Sequence, residues 1–343
     1  MAWDDIQGQG FAKRVLQTHL SHACVAGAYL LIGPEGIGKR RLALEMAKAL
    51  NCTAEGNRPC DRCPTCTQIA RGSHPDVYLV VPGGASEQIG IDRIRLLLGR
   101  IALRPFSAAT HVVVIDGAER LTEEAANGLL KSLEEPSART RFLLTTSQLS
   151  HCLPTIVSRC QLLRCQPLPR EVVQRLLTDT QGCDPQVARA VAKVSRGSAS
   201  RAINLASRWT DYHAVVERLA TEPASSWMER PLPETRQEVM GLLEGMIGWL
   251  RDVSMAAAAA SVESEWLAHT AQEGSVRDQA RTVDADRCVE AVFELIELRS
   301  SLDAFVSPRL VAALAREKWL GLVTASRDVA GHPPTISGGR PVR

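Results

Sequence analysis

The sequence predicts an α/β nucleotide-binding domain, a parallel sheet flanked by helices, followed by domains made only of helices. Two observations predict the first part: a Gly-rich loop, GPEGIGKR, directly after a short apolar strand, and the apolar run HVVVID, which ends in a carboxylate. A third observation predicts the second part. After the prolines of QPLPREVV, the apolar residues recur only at helical spacing.

The bulk composition is that of an ordinary globular protein with room for two or three domains. Of 343 residues, 45% are hydrophobic and 23% charged, and the net charge is only +2, which argues against a basic nucleic-acid-binding domain. The N-terminus is acidic where a signal peptide is basic, and no apolar run reaches about 18 residues. We therefore expect a cytoplasmic protein whose ten cysteines are reduced thiols or metal ligands.

The Gly-rich loop has the sequence context of a phosphate-binding P-loop. The strand AYLLIG at 28–33 leads into it, and KRRLALEMAKAL continues as a helix. Backbone N–H groups of such a loop hold phosphates, and its lysine reaches the outer phosphate oxygens. The residues predicted to do so are Gly33, Gly36, Gly38 and Lys39. A plain Gly-rich turn is the alternative, which the second strand, ending in Asp116, disfavours.

Both motifs lack a group that hydrolysis needs. Arg40 occupies the position of the Ser or Thr that would ligate Mg²⁺. Asp116 is followed by Gly117, where hydrolysing relatives place a glutamate that polarises water. Glu119, two residues further on, is the alternative source of a general base. The sequence therefore predicts a degenerate site without ATPase activity, in which ATP binding is itself doubtful.

Four cysteines lie in a Pro- and Gly-rich insertion at about residues 50–70. The stretch CTAEGNRPCDRCPTC spaces Cys52, Cys60, Cys63 and Cys66 as C-x7-C-x2-C-x2-C. Four soft thiolates suit tetrahedral Zn²⁺ and leave no position open for water, so we expect a structural zinc site. An iron–sulfur cluster and unrelated reduced thiols are the alternatives.

Residues 126–165 carry the most specific motifs, LLKSLEEP, RFLLTT and LPTIVSRC. These motifs resemble the clamp-loader branch of the AAA+ ATPases. Together with the cysteine insertion and the altered ATP site, they make the chain similar to the delta-prime family of bacterial DNA polymerase III clamp-loader subunits. The resemblance is strong over about residues 3–205 and only compositional beyond.

The resemblance implies a role for two further residues. In the clamp-loader branch, the arginine of the S-R-C motif projects into the ATP site of a neighbouring subunit, and Arg159 matches it. Thr146 resembles the residue that senses the γ-phosphate in active relatives. The alternatives are an ordinary surface arginine and a strand-end threonine. Implied partners are the gamma/tau and delta subunits of a hetero-pentameric ring and, through the complex, the sliding clamp and primed DNA.

We expect four segments: an AAA+ domain at 1–168, a helical lid at 169–208, a helical collar domain at 209–326 and a disordered tail at 327–343. The lid motif GSASRA places Ser200 where active relatives have a phosphate-contacting arginine, and Arg201 comes one residue late. One residue is a rotation of about 100° on a helix, so Arg201 is expected to face elsewhere.

The sequence is also compatible with two other functions. One is an active AAA+ clamp-loader ATPase of the gamma/tau type. The other is a zinc-stapled nucleic-acid-binding module, which the near-neutral charge and the 4% aromatic content support poorly.

Overall fold

The computed structural model describes Trp3 and residues 6–83, 87–259, 262–264, 266–303 and 306–329. The chain forms two compact units, Met1–Asn204 and Leu205–Arg343. Of the predicted tail, only 327–329 are described, as the end of the last helix, and 330–343 lie outside the described residues. Among the described residues, no helix has the length and apolar character needed to cross a bilayer.

A five-stranded parallel sheet organises the first unit, as predicted. Its strands, in the spatial order β2-β3-β4-β1-β5, are β1 Ala28–Ile32, β2 Val77–Val80, β3 His111–Asp116, β4 Thr140–Thr146 and β5 Gln161–Arg164. Because all neighbouring pairs are parallel, the carboxyl ends of the strands meet at one edge, where ligands bind in open α/β sheets. The Gly-rich loop follows β1 at this edge, and Asp116 ends β3.

Helices cover both faces of the sheet: α1 Gly10–Ser21, α2 Lys39–Asn51 and α3 Pro64–Ala70 on one face, and α4 Ile91–Ile101, α5 Glu123–Glu134 and α6 Pro154–Val157 on the other. Three further helices follow β5 along the chain: α7 Arg170–Gln181, α8 Pro185–Ser195 and α9 Ala199–Ala206. Alternate strand residues enter separate cores: Val112 and Val114 pack on one face, and Val113 and Ile115 on the other. The continuous apolar run of β3 is explained by this burial on both faces.

The second unit is helical throughout its described residues, as predicted. Its helices are α10 Trp209–Thr221, α11 Ala224–Glu229, α12 Arg236–Ala258, α13 Glu273–Ala280, α14 Ala285–Asp303 and α15 Pro308–Val329. The central helix, α12, begins with a capping box between Thr235 and Glu238. It packs against α10, α13, α14 and α15.

A buried polar chain links the helices of the second unit. The His269 ring is hydrogen-bonded to the Tyr212 hydroxyl at 2.8 Å through Nε2 and to Asp252 Oδ2 at 2.9 Å through Nδ1. All three side chains are buried. Both nitrogens of the buried imidazole therefore have a hydrogen-bond partner.

Candidate nucleotide cleft, cysteine cluster and Arg159

The Gly-rich loop joins β1 to α2 and has a backbone conformation that depends on glycine. The backbone φ angle is 75° at Gly36 and 97° at Gly38, a region that residues with a β-carbon disfavour. Lys39 is buried, and its Nζ donates to the carbonyl oxygens of Gly33 and Pro34, both at 2.7 Å. Burial lowers the pKa of this ammonium group. The predicted loop residues therefore lie together, with the lysine bound to loop carbonyls.

Arg40 and Asp116 form an ion pair across the cleft beside this loop. Arg40 Nη1 lies 3.4 Å from Asp116 Oδ2, and their side chains are 56% and 28% exposed. The other carboxylate oxygen accepts a hydrogen bond from Thr145 Oγ1 at 2.6 Å. In P-loop ATPases a hydroxyl and an aspartate at these two positions hold Mg²⁺. Here the guanidinium is paired with that aspartate.

The chain leaves β3 through a tight turn that brings Glu119 into the cleft. Gly117 has a φ of 90° and starts a single turn of 3-10 helix, Ala118–Arg120. Glu119 Oε1 accepts hydrogen bonds from the Ser147 N–H at 3.0 Å and from its hydroxyl at 2.6 Å. Burial alone would raise the pKa of Glu119, but hydrogen bonds, first those from Ser147, together outweigh it and lower that pKa. A carboxylate of lowered pKa is a weak base, which counts against Glu119 as the missing general base.

Thr146 lies outside the cleft. This last residue of β4 is fully buried, and its Oγ1 accepts hydrogen bonds from the Gln148 N–H at 3.1 Å and the Cys152 thiol at 3.3 Å. Its neighbours Thr145 and Ser147 line the cleft instead. Since successive strand residues point to opposite faces, Thr145 and not Thr146 contacts Asp116.

The GSASRA segment packs directly on the Gly-rich loop. The carbonyl oxygen of Gly36 accepts hydrogen bonds from the N–H groups of Ala199 at 2.9 Å and Ser200 at 3.3 Å. A β-carbon at Gly36 would overlap the hydroxyl oxygens of Ser198 and Ser200. Ser200 lines the cleft, and Arg201 is not among the lining residues. The start of α9 therefore closes over the apex of the loop by contacts that only glycine permits.

The cleft encloses about 650 Å³ and has a balanced charge. Its charged lining residues are Glu35, Glu87, Asp116 and Glu119 on the acidic side and Lys39, Arg40, Arg41 and Arg120 on the basic side. A site for a polyphosphate normally has a surplus of positive charge or a bound metal ion. Among its described lining residues, this cleft has as many carboxylates as cationic groups.

The four predicted cysteines converge. Their sulfur atoms all lie within 4.8 Å of one another, and in a tetrahedral zinc site sulfurs about 2.3 Å from the ion are separated by about 3.8 Å. The N–H of Cys63 donates to Cys60 Sγ at 3.3 Å, and the N–H of Cys66 donates to Cys63 Sγ at 3.4 Å. Burial opposes ionisation of Cys63, but backbone donors, including Cys66, lower its pKa to about 6. The cluster can bind a soft metal such as zinc.

An ionic network attaches the cysteine segment to α2. Lys48 Nζ lies 2.7 Å from Glu45 Oε1 and 3.0 Å from Asp61 Oδ1. Glu45 and Lys48 are buried, and burial raises the pKa of Glu45. Since Asp61 lies between Cys60 and Cys63, this contact holds the turn that carries two of the four sulfur atoms.

Arg159 lies just after α6 and is held by its own chain. Its Nε donates to Glu134 Oε1 at 2.7 Å, and its Nη2 donates to the same oxygen. Its Nη1 donates to the Thr155 carbonyl at 3.0 Å and to the Ser158 hydroxyl at 3.2 Å. The side chain is 29% exposed. It is neither a freely solvated arginine nor a buried one.

Five residues that contribute to these sites were not among the residues predicted from the sequence. They are Asp61, Glu134, Thr145, Ser147 and Ser198. For Thr145 a signal existed, because alternation along β4 places it on the face opposite Thr146. Glu134 lies in the LLKSLEEP motif, but nothing in that motif indicates its partner, which is 25 positions further along the chain.

Residues 8–169 match the family described as DNA polymerase III, delta subunit. The DNA polymerase III subunit delta' of Bacillus subtilis is 36% identical to this chain over 201 residues, 58% of this chain and 60% of that protein. The subunit delta' of Pseudomonas aeruginosa is 44% identical over 149 residues, 42% of this chain and 44% of that protein. The resemblance to delta-prime subunits is confirmed.

The delta-prime resemblance is limited to part of each protein, since the matches span 44–60% of these relatives. A second type of relative matches as well. The DNA polymerase III subunit tau of Bacillus subtilis is 37% identical over 161 residues, 46% of this chain and 28% of that protein. The matched family segment, 8–169, contains the Gly-rich loop, the cysteine cluster and Arg159.

Proposed function

We propose that this chain is a subunit of the bacterial DNA polymerase III clamp loader that takes the delta-prime position and does not hydrolyse ATP. The Arg40–Asp116 ion pair carries this proposal. Mg²⁺ needs oxygen ligands in near-octahedral geometry, and a guanidinium offers only donors. Arg40 therefore removes one metal ligand and competes with the metal for the Asp116 carboxylate.

Two further changes act in the same direction. Gly117 has no side chain to polarise water, and Ser200 has no charge to place on a phosphate. Transition-state contacts of this kind are worth on the order of 10²–10³ each in rate where they have been removed singly. Loss of all three groups predicts hydrolysis at the background level.

In the proposed subunit, Arg159 is the residue that contributes to catalysis, and it does so in the ATP site of another subunit. A planar, permanently charged guanidinium neutralises charge on a transferring phosphoryl group, an effect worth on the order of 10³–10⁵ in rate in known cases. We propose that Arg159 supplies this charge to the ATP site of an adjacent subunit. The partners would be gamma/tau and delta subunits in a hetero-pentameric ring, which brings the chain to the sliding clamp and primed DNA.

The cysteine cluster is proposed to hold one structural Zn²⁺. Four thiolates fill the coordination sphere of zinc, and the hydrogen bonds to Cys60 and Cys63 sulfurs are of the kind that orients metal ligands. The site therefore holds the insertion in place and takes no part in ATP chemistry.

The first test is a hydrolysis assay on the purified chain with ATP and Mg²⁺. We expect no turnover above background and no difference between the wild-type protein and Lys39→Ala. Turnover at the rate of typical P-loop ATPases that Lys39→Ala abolishes would contradict the proposed inactivity.

The second test addresses catalysis in trans, in complexes reconstituted at equal occupancy with the cognate subunits. Arg159→Ala should abolish clamp loading and remove part of the DNA-stimulated hydrolysis, since other sites keep their own arginines. Arg159→Lys should be nearly as damaging, because a flexible ammonium group does not keep the fixed orientation of a planar guanidinium. Wild-type rates in the alanine variant would rule out this role.

An active ATPase of the gamma/tau type is the second candidate. The 37% identity to the tau subunit of Bacillus subtilis favours it. The same assay on the purified chain distinguishes the two, since an active subunit would hydrolyse ATP with a dependence on Mg²⁺ and on Lys39.

A further inference from the structure

We propose that Glu134 is a positioning residue, which holds the guanidinium of Arg159 in the orientation needed for catalysis in a neighbouring site. The inference rests on the proposed function of Arg159. Its basis is the contact of Glu134 Oε1 with two nitrogens of the same guanidinium, Nε at 2.7 Å and Nη2. Such a contact fixes the plane of the group as well as its distance.

Both partners are anchored to the same core. Glu134 is the last residue of α5 and directly follows the buried Leu133, and Arg159 comes shortly after the buried Ile156 of α6. Leu133 and Ile156 belong to one apolar cluster, and α5 packs against α6. The carboxylate therefore has a defined position relative to the backbone that carries the arginine.

The hydrogen bonds of Arg159 leave one edge of its guanidinium available. The group has five N–H donors. Four bonds are made within the described part of the chain: Nε and Nη2 to Glu134, and Nη1 to the Thr155 carbonyl and the Ser158 hydroxyl. The second N–H of Nη2 is the donor that remains for a phosphate oxygen of another subunit.

The ion pair between Glu134 and Arg159 is expected to orient the arginine side chain and to add little to the stability of the fold. Glu134 is 49% exposed and Arg159 29% exposed, and exposed ion pairs stabilise a fold by only about 0–1 kcal/mol. An arginine side chain, in contrast, has about 2 kcal/mol of rotamer entropy to lose when it is fixed. If Glu134 fixes the side chain before the neighbour docks, less of that cost falls on the catalytic step.

The pair also has an opposing effect, because the carboxylate partly cancels the charge that the phosphate needs. At these exposures the cancellation is weak, since solvent screens the pair. A phosphoryl group with more than one negative charge competes well for the outer edge of the guanidinium. We therefore expect removal of Glu134 to slow catalysis.

The experiment uses complexes reconstituted with the cognate subunits, sliding clamp and primed DNA, in which hydrolysis is measured as a function of ATP concentration. Glu134→Ala should lower the part of kcat that depends on Arg159, defined as the difference between wild type and Arg159→Ala, by about 3- to 10-fold and leave KM unchanged, because orientation matters only in the transition state. Glu134→Gln should recover part of the loss, since the amide oxygen still accepts from Nε. Glu135→Ala is the matched control, an exposed neighbour expected to behave like wild type.

A double variant separates this inference from the function on which it rests. If Glu134 acts through Arg159, the double variant Glu134→Ala, Arg159→Ala should be no slower than Arg159→Ala alone. An unchanged or raised kcat in Glu134→Ala, with Arg159→Ala still defective, would overturn the positioning role alone. A silent Arg159→Ala would instead overturn the proposed function. Unchanged melting temperatures and unchanged gel-filtration profiles of the complexes confirm that each variant is folded and incorporated.

Discussion

The nucleotide cleft and the cysteine cluster lie in the same unit and differ in how their charges are satisfied. In the cleft, Lys39 binds loop carbonyls, Arg40 pairs with Asp116, and Glu119 binds Ser147. In the cysteine cluster, four sulfurs of the same chemical type converge within 4.8 Å. The cleft is neutralised by its own side chains, whereas thiolates at such distances repel one another unless a cation lies between them.

This difference indicates which region depends on a ligand. A site that is internally neutral gains little from Mg²⁺, and a cluster of like ligands gains a great deal from Zn²⁺. Metal dependence should therefore be found at the cysteine cluster and not at the cleft. Two variants, Cys63→Ser and Arg40→Thr, test this contrast, and a third, Gly36→Ala, tests the packing around the cleft; they follow in order of decreasing expected effect.

The largest effect is expected for Cys63→Ser. The purified protein should contain one zinc per chain, and the variant should lose most of it, because zinc thiolate binding contributes several kcal/mol to folding. Elemental analysis measures the metal, and limited proteolysis should show faster cleavage within residues 50–70. Cys24→Ser, an exposed cysteine outside the cluster, should keep the metal. Wild-type protein without metal after chelator-free purification would contradict the zinc site.

An intermediate effect is expected for Gly36→Ala, which tests how firmly GSASRA is held on the loop. The added methyl group would overlap the Ser198 and Ser200 hydroxyls, and the φ of 75° adds backbone strain. We expect a loss of about 2–4 kcal/mol in the free energy of unfolding.

Gly38→Ala is the matched control for this variant. Its φ is 97°, but a β-carbon there meets no atom within 4 Å, so we expect a loss of only about 1 kcal/mol from strain. Urea unfolding of both variants measures the difference. Equal losses would mean that the contact with GSASRA contributes nothing.

The smallest effect on stability is expected for Arg40→Thr, which restores the hydroxyl and breaks the ion pair with Asp116. The pair is exposed, so the free energy of unfolding should change by less than about 1 kcal/mol. Affinity for ATP should become dependent on Mg²⁺, as measured by calorimetry with and without the metal. Arg41→Thr, which removes another arginine of the cleft, should not introduce this dependence. The same response in both variants would argue against the Arg40–Asp116 pair as the obstacle to metal binding.

Much of the fold and part of each site could be predicted from short stretches of sequence. The strand before the Gly-rich loop, the buried run of β3 and the helical second unit follow from periodicity, which reflects the burial of each element on one face or two. The convergence of the cysteines was predicted from their spacing in the chain, because a tight turn brings cysteines separated by two intervening residues close to one point. These features depend on contacts between near neighbours in the chain.

The sequence by itself determined the fold class, the degenerate form of the Gly-rich loop and the cysteine cluster, because each depends on residues that are close together in the chain. The tertiary structure alone decided which side chains meet across elements. It places Thr145 beside Asp116, and it joins Glu134 to Arg159. Such pairs lie 25 or more positions apart, and their meeting depends on strand register and helix packing, which local patterns leave undetermined.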